Sequence, residues 1–305
     1  MKNIFFVILS LFLNFIFADP KDIEGFINQF PFEKKEKARS LLMTYEIKDR
    51  IIELINKPAE RLTWTAYRDL VIDKIRIEDG KKFMIEHSLI LKHLKKEYGI
   101  PPRILTALIG LESHYGKRSG SWSVGDALKT LSFSDYRRAE YFQSELKIFL
   151  DLVIDGLLPS DQKGSYAGAF GFSQFMPSSY KNYSKSRIEN DSANLMQMND
   201  ALTSAAYYLF KHGWKSDEPI AQPIEKNILV DFKFSSKNNP RPEYSKNLIA
   251  SVTNDFSVLD LDNEDYWIGY HNFYIITRYN HSTNYAMAIV TLAENFKDLE
   301  DEIIN

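Results

Sequence analysis

Glu112 stands in Ala107-Leu108-Ile109-Gly110-Leu111-Glu112-Ser113-His114-Tyr115-Gly116, a single carboxylate in an apolar run. Leu105 and Leu108 lie seven and four positions earlier, so on a helix they share its face. A carboxyl group on an apolar face loses hydration, which disfavours its anion and raises its pKa. Such a group keeps a proton near neutral pH and can give it to a leaving oxygen, as glycosidic cleavage requires. On its own the position also fits the commoner state of a helix glutamate, a solvated surface residue.

A second segment, Gly164-Ser165-Tyr166-Ala167-Gly168-Ala169-Phe170-Gly171-Phe172-Ser173-Gln174-Phe175-Met176-Pro177-Ser178-Ser179-Tyr180, combines small residues with aromatic ones. Small residues let the backbone approach a ligand or a neighbouring element closely. Aromatic rings stack on sugar faces, and Gln174 is a lone amide among apolar neighbours. The same composition also fits a tightly packed turn with aromatic core residues. It is not a phosphate loop, because the Gly-Lys-Ser/Thr ending is missing. The six histidines are scattered, and His87 and His93 are six apart, which is not one helix face. No metal site is expected from them.

The elements that must position these residues are mainly helical. Pro101 and Pro102 suit the start of the Glu112 helix, and Gly116 suits its end. Further helices are predicted over Ile23–Phe30, Glu33–Ile55, Phe83–Glu97, Tyr136–Leu158, Asn199–His212 and Phe273–Phe296, with another approached through Leu62–Arg68. Residues 217 to 270 differ, with Pro219, Pro223, Pro240 and Pro242 and the β-leaning run Ile228–Phe234. The chain thus divides into a segment 1–18, a helical N-terminal region 19–100, a helical body 101–216 with 271–305, and a small β-containing subdomain 217–270.

At 305 residues the chain can bury a sizeable core, and 44% hydrophobic with 26% charged residues is ordinary for a globular protein. A net charge of −3 supplies no basic field for nucleic acid. Met1-Lys2-Asn3, an apolar run Ile4–Phe17 and Ala18 before Asp19-Pro20 describe a secretory signal cleaved after Ala18. The run is short for a membrane span, and no later segment is long and apolar enough for one. With no cysteine, the chain has neither disulfides nor an N-terminal lipidation site. A soluble periplasmic protein is expected.

Together the motifs resemble the lytic murein transglycosylases of the membrane-bound B type, glycoside hydrolase family 103. The carrying residues are Glu112–Gly116, Leu131-Ser132-Phe133, Arg137-Arg138-Ala139-Glu140-Tyr141-Phe142, Gly164–Tyr180, Lys211-His212-Gly213-Trp214 and Asn272–Ser282, over roughly residues 85 to 295. The resemblance implies a mainly α, lysozyme-like catalytic domain with a helical N-terminal region and a small β-containing insertion. It implies one catalytic glutamate, Glu112, acting on peptidoglycan glycan strands. Carried over by position, Ser165 and Gln174 lie near the acid in the sugar cleft. Arg137 and Arg138 contact the glycan or its stem peptide. Asn280 positions the reacting sugar, with Tyr279 and Tyr285 lining the cleft.

One carboxylate suffices if the sugar's own 6-hydroxyl is the acceptor, closing a 1,6-anhydro ring; most glycosidases need two. No second acid is demanded by the motifs, and Asp126 and Asp135 are the nearest that follow Glu112 in sequence. A hydrolytic muramidase, with a second carboxylate across the cleft, and a non-catalytic wall-binding protein are the alternatives. Calcium-binding relatives carry an EF-hand-like loop where this chain reads Ser186–Gln197. Ser186 and Gln197 replace the terminal carboxylates such a loop needs, so no cofactor is expected, calcium included.

Overall fold

The computed structural model describes residues 22–56, 62–188, 191–225, 256–262 and 265–304. Helices dominate. The N-terminal part holds α1 (Ile23–Ile27), α2 (Phe32–Thr44), α3 (Asp49–Ile55), α4 (Trp64–Val71), α5 (Lys74–Glu86) and α6 (Ser88–Tyr98). The central helix α7 (Pro102–Ser113) carries Glu112, and α8 (Val124–Ser132), α9 (Ala139–Ile154), α10 (Pro177–Tyr183) and α11 (Met198–Lys211) follow. Three helices close the chain: α12 (His271–Tyr279), α13 (Thr283–Glu294) and α14 (Lys297–Ile304).

Every side chain of α7 from Ile104 to Gly110 is buried, which explains its unbroken apolar run. It packs against α13, α5, α6, α11 and α14. One hydrophobic core runs from Phe26 to Phe296, so helices of the N-terminal part and those around α7 share it. The strands β1 (Trp122–Ser123) and β2 (Lys163–Gly164) pair antiparallel beside α8. A separate antiparallel sheet has the order β3 (Ala221–Pro223), β5 (Tyr266–Tyr270), β4 (Phe256–Asp260), with its own small cluster of Phe256, Val258, Ile268 and Tyr270. The strand expected over Ile228–Phe234 lies outside the described residues, as does the segment 1–18.

Three expected helices are each interrupted, two of them at sites where side chains take over backbone hydrogen bonds. The run Glu33–Ile55 breaks at Tyr45–Lys48 because α8 supplies alternative hydrogen-bond partners there. Lys129 Nζ donates to the carbonyls of Leu42 and Tyr45 at 3.0 and 2.7 Å. Asp126 Oδ1 and Thr130 Oγ1 accept from the amides of Glu46 and Lys48, both at 2.9 Å. The helix expected over Phe83–Glu97 is two helices meeting at His87, the first beginning at Lys74. The run Phe273–Phe296 breaks at Asn280–Ser282, where Ser282 Oγ accepts from the Tyr285 amide at 3.2 Å and caps α13. The short helix α8 was not expected at all, although Ser123 with Asp126 is a capping pair for it.

Candidate active site

Glu112 is the penultimate residue of α7 and is half-buried. The chain leaves the helix through His114 (φ 48°), Tyr115 (φ 58°) and Gly116 (φ 85°), three successive left-handed residues. For the two that are not glycine this costs on the order of 1–3 kcal/mol each, so surrounding contacts must enforce the turn. His114 Nε2 lies 3.0 Å from Asp79 Oδ2, and Lys117 Nζ donates to the same oxygen at 2.6 Å. The Tyr115 phenol donates to the Arg76 carbonyl at 2.9 Å, and Arg76 Nη1 donates to the Gly110 carbonyl at 2.9 Å. A Cβ on Gly110 would sit 2.7 Å from the Tyr115 ring, so only glycine admits this fold-back.

The break between α12 and α13 brings two tyrosines to Glu112. Tyr285, on the first turn of α13, donates its phenol hydrogen to Glu112 Oε1. Tyr279, at the end of α12, donates to the Ser173 carbonyl at 2.7 Å, which ties α12 to the glycine-rich segment. Burial first, and then the Glu112 carboxylate, push both phenols well above their ordinary range. Both therefore remain neutral hydrogen-bond donors at any working pH. Behind Tyr279 lies an aromatic stack of Phe175, Tyr208, Tyr183 and His212, with Tyr208 and His212 face to face at 3.9 Å. Asn280 is the half-buried residue on which α12 ends.

The glycine-rich segment is a succession of tight turns. Ser165 Oγ accepts from the amides of Ala167 and Ala169 at 3.3 and 3.1 Å. Phe170 and Phe175 exchange both backbone hydrogen bonds, at 2.9 and 3.0 Å, and bury their rings. Gly168 (φ 86°) lies against Leu128, where a Cβ would come within 2.5 Å. Gln174 itself has φ 47°, and its Nε2 donates to the carbonyls of Gly171 and Ser119 at 2.7 and 3.1 Å. The segment thus has the packed-turn character that its composition allowed. Its Ser173 carbonyl reaches Tyr279 beside Glu112, while the Gln174 amide nitrogen is committed to the backbone.

Arg137 and Arg138 are exposed on the approach to α9. The Arg138 guanidinium lies 4.3 Å from the centre of the Tyr141 ring. Burial first, and then Arg278 and Arg138, hold the His281 imidazole below its usual range. Trp214 and Asn272 are structural pins. Trp214 Nε1 donates to the Gly99 carbonyl at 3.1 Å, and the Asn272 amide exchanges hydrogen bonds with Lys215 at 2.8 and 3.0 Å. Asp126, the first acid after Glu112 in sequence, is engaged at the α2–α3 corner. Glu145, a deeply buried carboxylate, accepts from the Ser178 amide and hydroxyl at 2.8 and 2.6 Å and caps α10.

Sequence reasoning did not find Arg76, Asp79 or Ser173. The Arg76 partner Gly110 is 34 positions away, and the Ser173 carbonyl is recognised by a tyrosine 106 positions on, so neither has a local signal.

In and beside the Ser186–Gln197 segment, of which residues 189–190 are not described, several side-chain oxygens accept hydrogen bonds from backbone amides. Asp200 Oδ1 accepts from the Arg187 amide and Oδ2 from the Asn194 amide, both at 2.9 Å. Ser186 Oγ and Asn194 Oδ1 each accept from a local amide at 2.9 Å, and the Arg187 guanidinium pairs with Glu97 at 3.3 Å.

Residues 32–294 match the family model of the transglycosylase SLT domain. The chain is 33% identical over 297 residues to membrane-bound lytic murein transglycosylase B of Escherichia coli K12, covering 89% of this chain and 80% of that protein. Its fold is similar to catenated lytic transglycosylase SltB1 from Pseudomonas aeruginosa, with TM-score 0.79, 31% identity, and 91% and 97% of the two chains covered. It is likewise similar to Escherichia coli lytic transglycosylase Slt35 in complex with calcium, with TM-score 0.78, 33% identity, and 91% and 93% covered.

Proposed function

Since the chain belongs to the SLT-domain transglycosylases and is itself a lytic transglycosylase of peptidoglycan, we propose that Glu112 alone performs both proton transfers of the reaction. The observation that carries this is the seat of Glu112 at the end of α7, with Tyr285 bonded to Oε1 and the neutral Tyr279 phenol alongside. An Oε1 that accepts a hydrogen bond is compatible with a proton on Oε2. Glu112 gives that proton to the glycosidic oxygen as the bond from muramic C1 to that oxygen breaks. The carboxylate then takes the proton of the same sugar's 6-hydroxyl as O6 bonds to C1. Glu112 ends the cycle protonated, and no water is consumed.

The intramolecular acceptor has a physical advantage. A tethered hydroxyl can reach an effective molarity on the order of 10⁵ M or more, against about 55 M for water, when its geometry is right. Asn280 and Ser165 are assigned to orienting the reacting sugar, and Gln174 to shaping the cleft wall beside the Gly171 turn. Tyr279 and Tyr285 line the cleft next to the acid. Arg137 and Arg138, exposed and cationic, are assigned to the glycan or the carboxylates of its stem peptide, since guanidinium pairs with carboxylate.

No cofactor enters this scheme. No calcium ion is assigned to the Ser186–Gln197 segment, because Ser186 and Gln197 stand where a calcium loop needs carboxylates. The proposed location is the periplasm, after removal of residues 1–18. Among the described residues no helix is long and apolar enough to cross a membrane.

Digestion of purified sacculi in water enriched in oxygen-18 tests the proton route. Unlabelled 1,6-anhydro ends are expected. Products carrying one labelled oxygen at a reducing end would show that water, and not the 6-hydroxyl, is the group that Glu112 activates.

A further inference from the structure

We propose that Arg76 is a positioning residue for the reaction, acting through the left-handed turn that follows Glu112. The assignment rests on Glu112 as the acid. Arg76, Asp79, Gly80 and Phe83 recur along α5 at helical spacing, and all four face the end of α7. Arg76 grips that end twice. Its Nη1 donates to the Gly110 carbonyl at 2.9 Å, two residues before Glu112, and its carbonyl accepts from the Tyr115 phenol at 2.9 Å, three residues after. Asp79 completes the clamp by taking His114 and Lys117 on one oxygen. The Phe83 ring lies 5.3 Å from that of Tyr115. Gly80 leaves the room: a Cβ there would sit 2.4 Å from the Tyr115 hydroxyl.

Two non-glycine residues in succession at positive φ are held only where their surroundings over-determine them, and such strain gathers at functional sites. The last turn of α7 fixes the direction in which the Glu112 side chain leaves the helix. Without the clamp, His114 and Tyr115 relax towards ordinary backbone, α7 can end differently, and Glu112 loses its register with Tyr285 on α13. Arg76 is half-buried, and its Nε is buried without a hydrogen-bond partner. A guanidinium with an unsatisfied buried donor is costly as a mere fold element. The Gly110 carbonyl held by its Nη1 accounts for its place.

The test uses Arg76→Ala, Arg76→Lys and Asp79→Asn, with Glu112→Gln alongside, on soluble un-crosslinked glycan strands well below each melting temperature. Release of anhydro-ended fragments gives kcat and KM across pH. For Arg76→Ala we expect kcat to fall by about 10- to 100-fold, the cost of an ångström-scale misplacement. KM should stay within about twofold, and the pH limb of kcat belonging to the acid should move. Lysine, which keeps one donor for the Gly110 carbonyl, should restore kcat to within about tenfold of the unaltered enzyme. A folded Arg76→Ala enzyme with unaltered kcat and pH profile, lower only in melting temperature, overturns the proposal. If the alanine variant does not fold, Arg76→Lys and Asp79→Asn decide: reduced kcat with a moved pH limb supports the clamp, and unaltered kcat in both overturns it. Persisting activity in Glu112→Gln would instead remove the acid assignment itself, a separate failure.

Discussion

The Tyr285 phenol donates a 2.5 Å hydrogen bond to Glu112 Oε1, joining residues 173 positions apart on α13 and α7. The bond makes Oε1 an acceptor and ties the carboxyl group to α13. Replacing Tyr285 with phenylalanine keeps the ring and removes this bond. A net hydrogen bond of about 1–1.5 kcal/mol corresponds to roughly a tenfold loss in kcat with the fold intact. Steady-state release of anhydro fragments checks it, and an unaltered kcat would separate Tyr285 from the chemistry.

Glu145 is the contrasting carboxylate. It is 3% exposed, and both oxygens serve Ser178 at the start of α10. After burial, its charge is the chief reason the Tyr141 phenol is pushed up to about 12. Glu145→Gln turns one acceptor into a donor facing a donor, which should cost about 1–3 kcal/mol of stability. Denaturant melts should show that loss, while turnover per folded molecule remains that of the unaltered enzyme.

Much of this arrangement was legible in the chain. Glu112, the apolar helix before it and the glycine after it follow from spacing and helix-end chemistry, and α7 is buried as an unbroken apolar run requires. Ser282 was a readable cap for α13, yet the apolar periodicity running through Asn280 concealed the break that presents Tyr279 and Tyr285 to the acid. The α2–α3 corner was not readable, because Lys129, Asp126 and Thr130 impose it from α8. The clamp from Arg76 and Asp79 is of the same kind: two ordinary charged residues on a helix whose partners are brought by tertiary packing.

Calcium should leave the melting temperature unmoved. A cation at 100 times its dissociation constant would add about 2.7 kcal/mol, which a thermal melt resolves readily. In its place, Asp200 joins Arg187 to Asn194 across the segment. Asp200→Asn should therefore destabilise by about 1–3 kcal/mol with or without chelator. A melting temperature that rises in millimolar calcium and falls back with chelator would contradict this.

Acid should weaken the fold through three histidines before carboxylates contribute. Burial chiefly holds the imidazoles of His87, His212 and His281 below their usual range, and Arg278 adds to the effect at His212 and His281. Below about pH 6.5 the unfolded chain binds protons there that the folded chain refuses, so stability falls as pH drops through that window. Asp79 and Glu97, held low by their cationic and hydrogen-bonding neighbours, act only below the ordinary carboxylate range, near pH 4. Melts from pH 7 to 5 should show the decline, and His87→Gln, His212→Gln and His281→Gln together should flatten it. A flat profile in the unaltered protein would exclude all three groups.

Glu112→Gln tests the central assignment most directly. The amide keeps the size and the hydrogen-bond acceptor for Tyr285 but has no proton to give and no base to receive one. Mass spectrometry of sacculi incubated with the folded variant should find anhydro-ended products reduced by about 10²-fold or more, the usual contribution of a general acid, while the variant still sediments with sacculi. Near-normal release of anhydro ends from a variant with the unaltered melting temperature would mean that another group carries the proton.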